Sequence, residues 1–600
     1  MIQSYDQILH QNLAKIYSLR GFLNCFCREV AGPQGALSYP EDIINLPDSI
    51  FQSLQETGGI LLNIDLHDGQ LICVVDKKSQ SYQYRYLSYF LFQSNTQDQQ
   101  ELDWDELQVI LLNDLASRFN TDANDELLAQ MNNSEQVLAY LLLNRKRSKE
   151  STNLYLESES KLLLGHATHP AAKSRLGFSQ QDILDYSPEL RASFQLHYFA
   201  AKSDKVKRLG TGLSDDTLRD FSATYDSLPP DYALLPVHPW QAKYLLKQDV
   251  IIKLIEQGLL IDLGVRGKKL TATSSLRTLY NPELDFFIKG SLNVRITNCV
   301  RKNAYYELES AVKLTELLTP NFNQLEKKYP GLKIMHEPGC LTLDFDELDA
   351  EKQVQIEEGF GVLFRENPTE LREQNILLAG SLFTQGVSGE SNVKTHIWHL
   401  SQRNQMSYEQ SSLLWFRSYL DALLPSMFDA LFEHGLVFEP HLQNILIKLE
   451  QDLVAGVWIR DLEGTKLNKQ TWQAQQLSSM SEKASSSVLY DQEKCWNRLA
   501  YCLLINNIVQ AIFCIARRES VLEARLWHQV RLTIQQYLAQ SDSEFAANKL
   551  GELLAGKAIP NKANLITRFL KRADKQAEYT DFPNPLGFPR VIPTKVKEKV

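Results

Sequence analysis

Two stretches of this chain combine residue types able to bind and activate an anionic substrate. The first, Thr273 to Lys302 (TSSLRTLYNPELDFFIKGSLNVRITNCVRK), is cationic; the second, FEPHLQNILI (Phe438 to Ile447) closed by RDLEG (Arg460 to Gly464), is acidic. Between Arg266 and Lys302 stand eight Lys or Arg (Arg266, Lys268, Lys269, Arg277, Lys289, Arg295, Arg301, Lys302) against two acids, Glu283 and Asp285, in a chain of formal net charge −10. A local excess set against the global sign points to a pocket for a polyanion. Arg forks pair with carboxylate or phosphate through parallel hydrogen bonds and Lys acts as a point charge. Ser275, Arg277, Lys289 and Arg301 could therefore hold a triphosphate or a polycarboxylate together, although a solvated strand face accounts for the same charges about equally well. In the second stretch Glu439, His441, Gln443 and Asn444 crowd into six residues, and Asp461 follows a short apolar strand. These are hard oxygen ligands placed where Mg²⁺ could bridge phosphate oxygens.

Alternation supplies the elements that position these groups. Phe286 and Ile288 are expected on one face of a half-buried strand and Phe287 and Lys289 on the other. Leu292, Val294 and Ile296 oppose Asn293, Arg295 and Thr297, with the strand or hairpin bent at Gly290-Ser291. A loop bearing His and Asn, strands at Ile445 to Leu449 and Val454 to Ile459, then Asp before Glu-Gly parallel the kinase catalytic loop and metal-binding Asp. Lys289 would stand in for the strand lysine. No G-x-G-x-x-G lies upstream, and Leu442-Gln443 stands where a kinase base would be. Chemistry at another phosphorus atom is the expectation, with a kinase-like phosphotransferase as the remote alternative.

GHATHPAAKSRLGFS (Gly165 to Ser179) places His166 and His169 beside Lys173 and Arg175. The cluster could hold carboxylates; a capped helix start with surface histidines, or two imidazoles on a metal, are the other readings. His238-Pro239-Trp240-Gln241 reads as an X-Pro corner packing Trp240. His396 to His399 reads as a loop at the rim or core.

Six motifs in order, GHATHPAAKSRLGFS, LLPVHPWQ, TSSLRTLY, KGSLNVRITNCVRKN, EPHLQNILI and RDLEG, closely resemble the NRPS-independent siderophore synthetases, the IucA/IucC-like aerobactin-synthetase family. The resemblance covers nearly the whole chain, with one departure: the usual His-Pro-x-His-Pro is His-Ala-x-His-Pro here. It implies an α+β, multi-domain cupped hand of thumb, fingers and palm, the palm distantly kinase-like, at 1–160, 161–395 and 396–600. It implies an enzyme that uses ATP and Mg²⁺ to adenylate a carboxylate of citrate or a citrate derivative. An amine then attacks to form an amide; an alcohol or amino-acid nucleophile is the alternative within the family. ATP would meet His166, Ser275, Arg277, Lys289, Gln443, Asn444 and Asp461. The carboxylate substrate would meet His169, Lys173, Thr297, Arg301 and His441, and the metal Glu439, Asn444 and Asp461. Arg301, His441 and Lys289 would carry the catalysis, and a homodimer is the family default.

The rest of the chain is consistent with such an enzyme. Six hundred residues, 44% hydrophobic and 23% charged, predict several globular cores. MIQSYDQILHQNLAKIY carries no basic n-region followed by an apolar run, so a cytoplasmic protein is expected. The eight cysteines form no C-x-x-C and read as reduced core thiols, with Cys299 beside the cationic face as the one to watch. An opening helix (Tyr5 to Val30) is expected to precede a hairpin turned at His67-Asp68-Gly69, then helices through Leu143. Gln93 to Glu101 reads as a loop, Lys146 to Glu150 as a boundary, and Gly587 to Val600 as a tail. Leu499, Leu503, Leu504, Ile508, Ile512 and Ile515 share one helical face. An acidic chain with its basic residues confined to one pocket fits nucleic acid poorly.

Overall fold

The computed structural model describes residues 2–41, 46–96, 98–145, 150–211, 218, 228–229, 231–296, 299–373, 375–386, 390–573 and 576–587. Thr297, the boundary at 146–149 and the tail beyond Gly587 therefore lie outside the described residues, as does the side chain of Cys299. The fold is mixed α/β, with sheets paired mostly antiparallel.

The N-terminal unit follows its alternation closely. The strands Ile60–Leu66 and Gly69–Val75 pair antiparallel with Ile64 opposite Leu71, turned at His67-Asp68. Period-2 residues Leu62, Ile64, Leu71 and Cys73 pack against Phe22 and Phe26 of the opening helix Ile2–Phe26. That helix continues as a π turn through Cys27–Ala31. The same core takes in Leu565 and Phe569, so the two ends of the chain share one apolar interior. Gln93 to Glu101 differs from expectation: Phe90–Ser94 and Gln99–Leu102 pair as edge strands, with Gln93 opposite Gln99. Ser94, Thr96 and Asp98 close the turn by side-chain hydrogen bonds, which lets polar residues occupy a strand that needs no apolar face.

The centre is an eight-stranded antiparallel sheet in the order 206–210, 339–343, 362–366, 286–290, 278–280, 260–272, 193–202, 232–237. The strand Phe286–Gly290 lies inside it, so the half-buried reading gives way to a strand covered on both faces. Ile288 enters one core with Leu341 and Phe364, and Phe287 enters another with Tyr155 and Tyr280. Beyond Ser291 the chain does not fold back as a hairpin. Leu292–Ile296 joins a separate three-stranded sheet with Cys299–Arg301 and Arg175–Leu176. This change of sheet sets Lys289 at a corner, with its whole side chain buried at the sheet's end.

A four-stranded sheet, 332–334, 453–459, 445–450, 376–378, faces that corner. Behind it pack the helix Tyr408–Phe432, started by a Ser407/Gln410 capping box, and the long helical run from Gln492 to Ala516. That run is the one helix among the described residues long and apolar enough to cross a membrane, and 89% of its apolar window is buried inside the protein. Its expected face is in place, from Leu499 to Ile515. His396 to His399 is a correction: Val393–Asn404 is a helix, since Val393, Ile397 and Leu400 recur on one buried face.

Candidate functional site

Lys289 is 3% exposed, and its Nζ reaches Asp461 Oδ1 at 2.5 Å and Glu463 Oε2 at 2.6 Å. Burial alone would lower its pKa; Asp461, Glu463 and Glu337 outweigh that and hold it above the ordinary lysine value. Two further cations complete the clamp: Arg277 lies 3.6 Å from Glu463, and Arg365 lies 3.3 Å from Asp461. Both carboxyls resist protonation although burial opposes it, because Lys289 and the arginines favour their charged forms. The cations are buried, while Asp461 and Glu463 keep 33% and 23% of their side-chain surface open.

Each member is aimed by local structure. Arg277 follows a tight turn in which Leu276 takes φ 63°, Leu276 N donates to Thr273 O at 2.9 Å and Thr278 N donates to Ser275 Oγ at 3.1 Å. Its guanidinium donates to the carbonyls of Arg301 (3.3 Å) and Lys302 (3.4 Å) and to Asn303 Oδ1. Asp461 has φ 78°, a left-handed backbone that turns its carboxylate off the end of the strand Leu453–Ile459. Arg365 is anchored by Glu337, which accepts from its Nε at 2.9 Å and from the Leu462 backbone at 3.0 Å.

The loop after the strand Leu436–Val437 carries Glu439, His441, Gln443 and Asn444. Asn444 N donates to His441 O at 2.9 Å, and Arg460 N donates to Asn444 O at 3.1 Å, which fixes the loop over the RDLEG turn. Gln443 reaches Ser274 Oγ at 3.4 Å, linking this loop to the Arg277 turn. Glu439 pairs with Arg498 at 2.8 Å. A Cβ on Gly464 would stand 2.0 Å from Glu439 Oε2, so glycine there lets the carboxylate lie across the turn. His441 sits in the field of both Glu439 and Asp461, with burial lowering its pKa. Among the described residues no three His, Cys, Asp or Glu side chains converge as a ready-made metal cage. The donors that face this cleft, two carboxylates and an amide oxygen, are those a hard divalent cation takes when phosphate oxygens fill its remaining positions.

The His166 loop enters from the side. His166 Nε2 lies 2.5 Å from Asn506 Nδ2, its Nδ1 accepts from Thr168 N at 3.2 Å, and burial with the nearby His169 and His441 brings it down to about 3. It is neutral, an acceptor or donor without charge. His169 is 5% exposed, with Nδ1 accepting from Ala171 N at 3.1 Å. Lys173 is a correction. Its ammonium is consumed by Glu189 (2.5 Å) and the Leu162 carbonyl, and Arg175 binds the same Glu189 twice at 2.7 Å. All three are at least nine-tenths buried, so this pair of cations holds the loop rather than a ligand. His238 is likewise internal: it caps the helix Pro239–Leu245 through Trp240 N at 3.1 Å.

Sequence reasoning missed Glu463, Arg365, Glu337, Asn506 and Asn507. The two asparagines lie in a π stretch, Tyr501–Ile508, of the long helix. Asn506 Oδ1 accepts from Leu442 N at 3.2 Å and Asn507 donates to Pro440 O at 2.9 Å, so the helix core grips the acidic loop directly. The available signal was two amides inside an apolar helix, which must find partners when buried. Arg460 is a second anchor, paired within the fold to Glu159 at 2.5 Å and Tyr155 at 2.9 Å. The seven described cysteines are buried thiols without a partner sulfur.

Comparison with known proteins places relatives along most of the chain. Residues 154–384 match the IucA / IucC family, and residues 413–577 match the family described as ferric iron reductase FhuF-like transporter. The chain is 28% identical over 607 residues to the spermidine-citrate ligase of Bacillus anthracis, covering 96% of this chain and 98% of that protein. It is 30% identical over 446 residues to the L-2,3-diaminopropanoate--citrate ligase of Staphylococcus aureus, covering 72% and 74%. In fold it is similar to ATP-bound aerobactin synthetase IucA from Klebsiella pneumoniae, with TM-score 0.80, 24% identity and coverage of 95% and 99%.

Proposed function

As the chain belongs to the IucA/IucC family, we propose that it is an ATP-dependent ligase of siderophore biosynthesis, adenylating a carboxylate of citrate and joining it to an amine as an amide. The relatives' names support citrate as the acid and an amine as the nucleophile. The observation that carries the reading is the Lys289 clamp: three buried cations aimed at one cleft, held there by carboxylates that stay open to it.

The attack of a citrate carboxylate on the α-phosphate of ATP brings two anions together, so catalysis is mainly charge compensation. Lys289 and Arg277, with Ser275 at the turn, hold phosphate oxygens as pyrophosphate departs. Gln443 and the neutral His166 orient the nucleotide. Arg301, His441, His169 and Thr297 are the residues assigned to citrate. Glu439, Asn444 and Asp461 would hold a magnesium ion, which would supply Lewis-acid charge to the phosphates. We assign the thumb to 1–160, the fingers to 161–395 and a kinase-like palm to 396–600. The palm sheet borrows Leu332–Ile334 and Ile376–Leu378 from ahead of that boundary.

The test is pyrophosphate release from ATP and Mg²⁺ with citrate, α-ketoglutarate or succinate, each alone and with a panel of amines and hydroxylamine. Citrate-dependent pyrophosphate is expected, and the amine that raises the rate names the nucleophile. Release only with a preformed citrate monoamide would move the acyl substrate one step along. ADP in place of pyrophosphate would overturn the reading in favour of phosphotransfer.

A further inference from the structure

The amine half-reaction needs a group that the clamp does not provide. An aliphatic amine has a pKa near that of lysine, about 10.4, so at neutral pH only about one molecule in 10³ carries a free lone pair. The carboxylates at the clamp are committed to cations: Asp461 and Glu463 to Lys289, Glu337 to Arg365, Glu439 to Arg498. Glu307 differs. It lies in the first turn of the helix Tyr305–Lys328, which packs along the Leu462–Gly464 turn. Among the described residues no Lys or Arg pairs with it, and the Tyr306 hydroxyl donates to its Oε1 at 3.0 Å.

We propose that Glu307 is the catalytic base of amide formation: it receives the incoming amine as its ammonium form and takes one proton from it beside the acyl-adenylate. This rests on the adenylation reading above. The nitrogen lone pair so exposed attacks the acyl carbon. The new C–N bond forms as the C–O bond to AMP breaks, the electron pair leaving with the phosphate. The second nitrogen proton passes to the departing phosphate oxygen. Glu307 then returns its proton to water.

Position and charge both suit the role. Glu307 accepts from the Tyr306 hydroxyl of its own helix and lies in the electrostatic field of Glu463 from the RDLEG turn, Arg277 from the phosphate-binding turn and Lys466 from the strand Lys466–Asn468. It is therefore next to the clamp yet outside the set that holds phosphates. Burial and the Glu463 charge raise its pKa above the usual carboxylate value, against the Tyr306 hydrogen bond and Arg277, which makes it a stronger base. A cavity of about 130 Å³ is lined by Tyr305 and Tyr306 of the same helix turn together with Glu357, Glu358 and Lys483. Both rings already carry ammonium groups on their faces, Lys207 over Tyr305 at 3.6 Å and Lys483 over Tyr306 at 4.6 Å. The surface is suited to a cationic amine.

The experiment compares Glu307→Gln with the wild type in two citrate- and ATP-dependent products: the amide of the preferred alkylamine, and the hydroxamate of hydroxylamine, which is largely unprotonated at neutral pH. At pH 7 the amide-to-hydroxamate ratio is expected to fall about 100-fold in the variant. It is then expected to recover as pH rises toward the amine pKa. An equal loss of both products, or a ratio that does not move, overturns the assignment. If the Gln variant does not accumulate as folded protein, Glu307→Asp carries the same test, with a ratio at least about fivefold lower expected and an unchanged ratio fatal. A wild type that makes neither product from citrate refutes the adenylation reading itself, a result distinct from a ratio that stays put.

Discussion

Lys289 and Lys173 look alike in sequence, each a lysine in a cationic motif with an arginine close by, and the fold puts them to opposite uses. At Glu189 the pairing is closed: Lys173, Arg175 and Glu189 keep 7%, 2% and 3% of their side-chain surface, and Ser187 takes Arg175's remaining hydrogen bond. At Asp461 the pairing is open on the anionic side. A closed ion cluster can only hold the fold together, because every partner is taken. In an open one a metal or a phosphate can displace a partner without leaving any charge bare. The distinguishing observation is thus the exposure of the carboxylates, which no count of Lys and Arg reveals.

Exchanging charges at the two sites breaks the comparison most directly. Lys289→Ala should lower citrate-dependent pyrophosphate release by about 10³-fold or more, the effect expected when a transition-state cation is lost. The remaining arginines still neutralise Asp461 and Glu463, so the melting temperature should change little. Arg175→Ala should do the reverse, destabilising the fold by about 3–5 kcal/mol, with activity per folded molecule largely kept. Circular dichroism melts beside initial rates decide it. A Lys289→Ala protein that melts far lower, or an Arg175→Ala protein that folds normally without activity, would erase the distinction.

What the sequence made legible follows the same division. The hairpin at His67-Asp68, the strands around EPHLQNILI and the face from Leu499 to Ile515 were readable because each depends on local period and turn chemistry. The clamp's Lys289, Arg277 and Asp461 were readable by type. Their mutual contact was carried by the family resemblance, since 172 residues separate Lys289 from Asp461. Glu463, Arg365 and Glu337 were not readable: each is a single charged residue in an otherwise apolar or turn context, and only tertiary pairing shows that it faces the cleft. Lys173 was misread for the complementary reason, its partner Glu189 lying in a short turn with no motif of its own. The helix at His396 is weakly marked in the sequence because only Val393, Ile397 and Leu400 of its twelve residues are buried.

Proton linkage sharpens the contrast on a smaller scale. His238 and His166 are both held at about 3 in the folded protein, chiefly by burial, against an ordinary histidine value of 6.5. Below pH 6.5 these histidines bind protons in the unfolded chain that the folded one refuses, so their contribution lowers stability as pH falls toward about 3. Between pH 7 and pH 5 each histidine should cost about 1–2 kcal/mol. Glu189, held at about 2, keeps its own contribution through this range and begins to lose it only below about 4.5. His238→Asn retains an acceptor for Trp240 N and should remove the His238 share, about 1–2 kcal/mol between pH 7 and pH 5, from the pH dependence of stability. An unchanged slope would mean that His238 is not a source of it.

The smallest effect probes the open side of the clamp through its metal. Glu439 Oε2 lies where a side chain on Gly464 would begin, 2.0 Å from the Cβ position, with the Glu439 Cδ at 2.8 Å. Gly464→Ala must therefore push the carboxylate aside. Arg498 holds the other oxygen at 2.8 Å, so the carboxylate pivots about that pair rather than leaving the cleft. The backbone of Gly464 is not among the left-handed positions, so alanine adds no strain of its own. Stability should change by less than about 1 kcal/mol. If Glu439 ligates magnesium, the Mg²⁺ concentration giving half-maximal pyrophosphate release should rise about tenfold, equivalent to about 1.4 kcal/mol, with the rate at saturating Mg²⁺ little altered. A lowered maximal rate with an unmoved Mg²⁺ midpoint would instead assign Glu439 to the geometry of Arg498 and leave Asp461 and Asn444 as the metal's protein ligands.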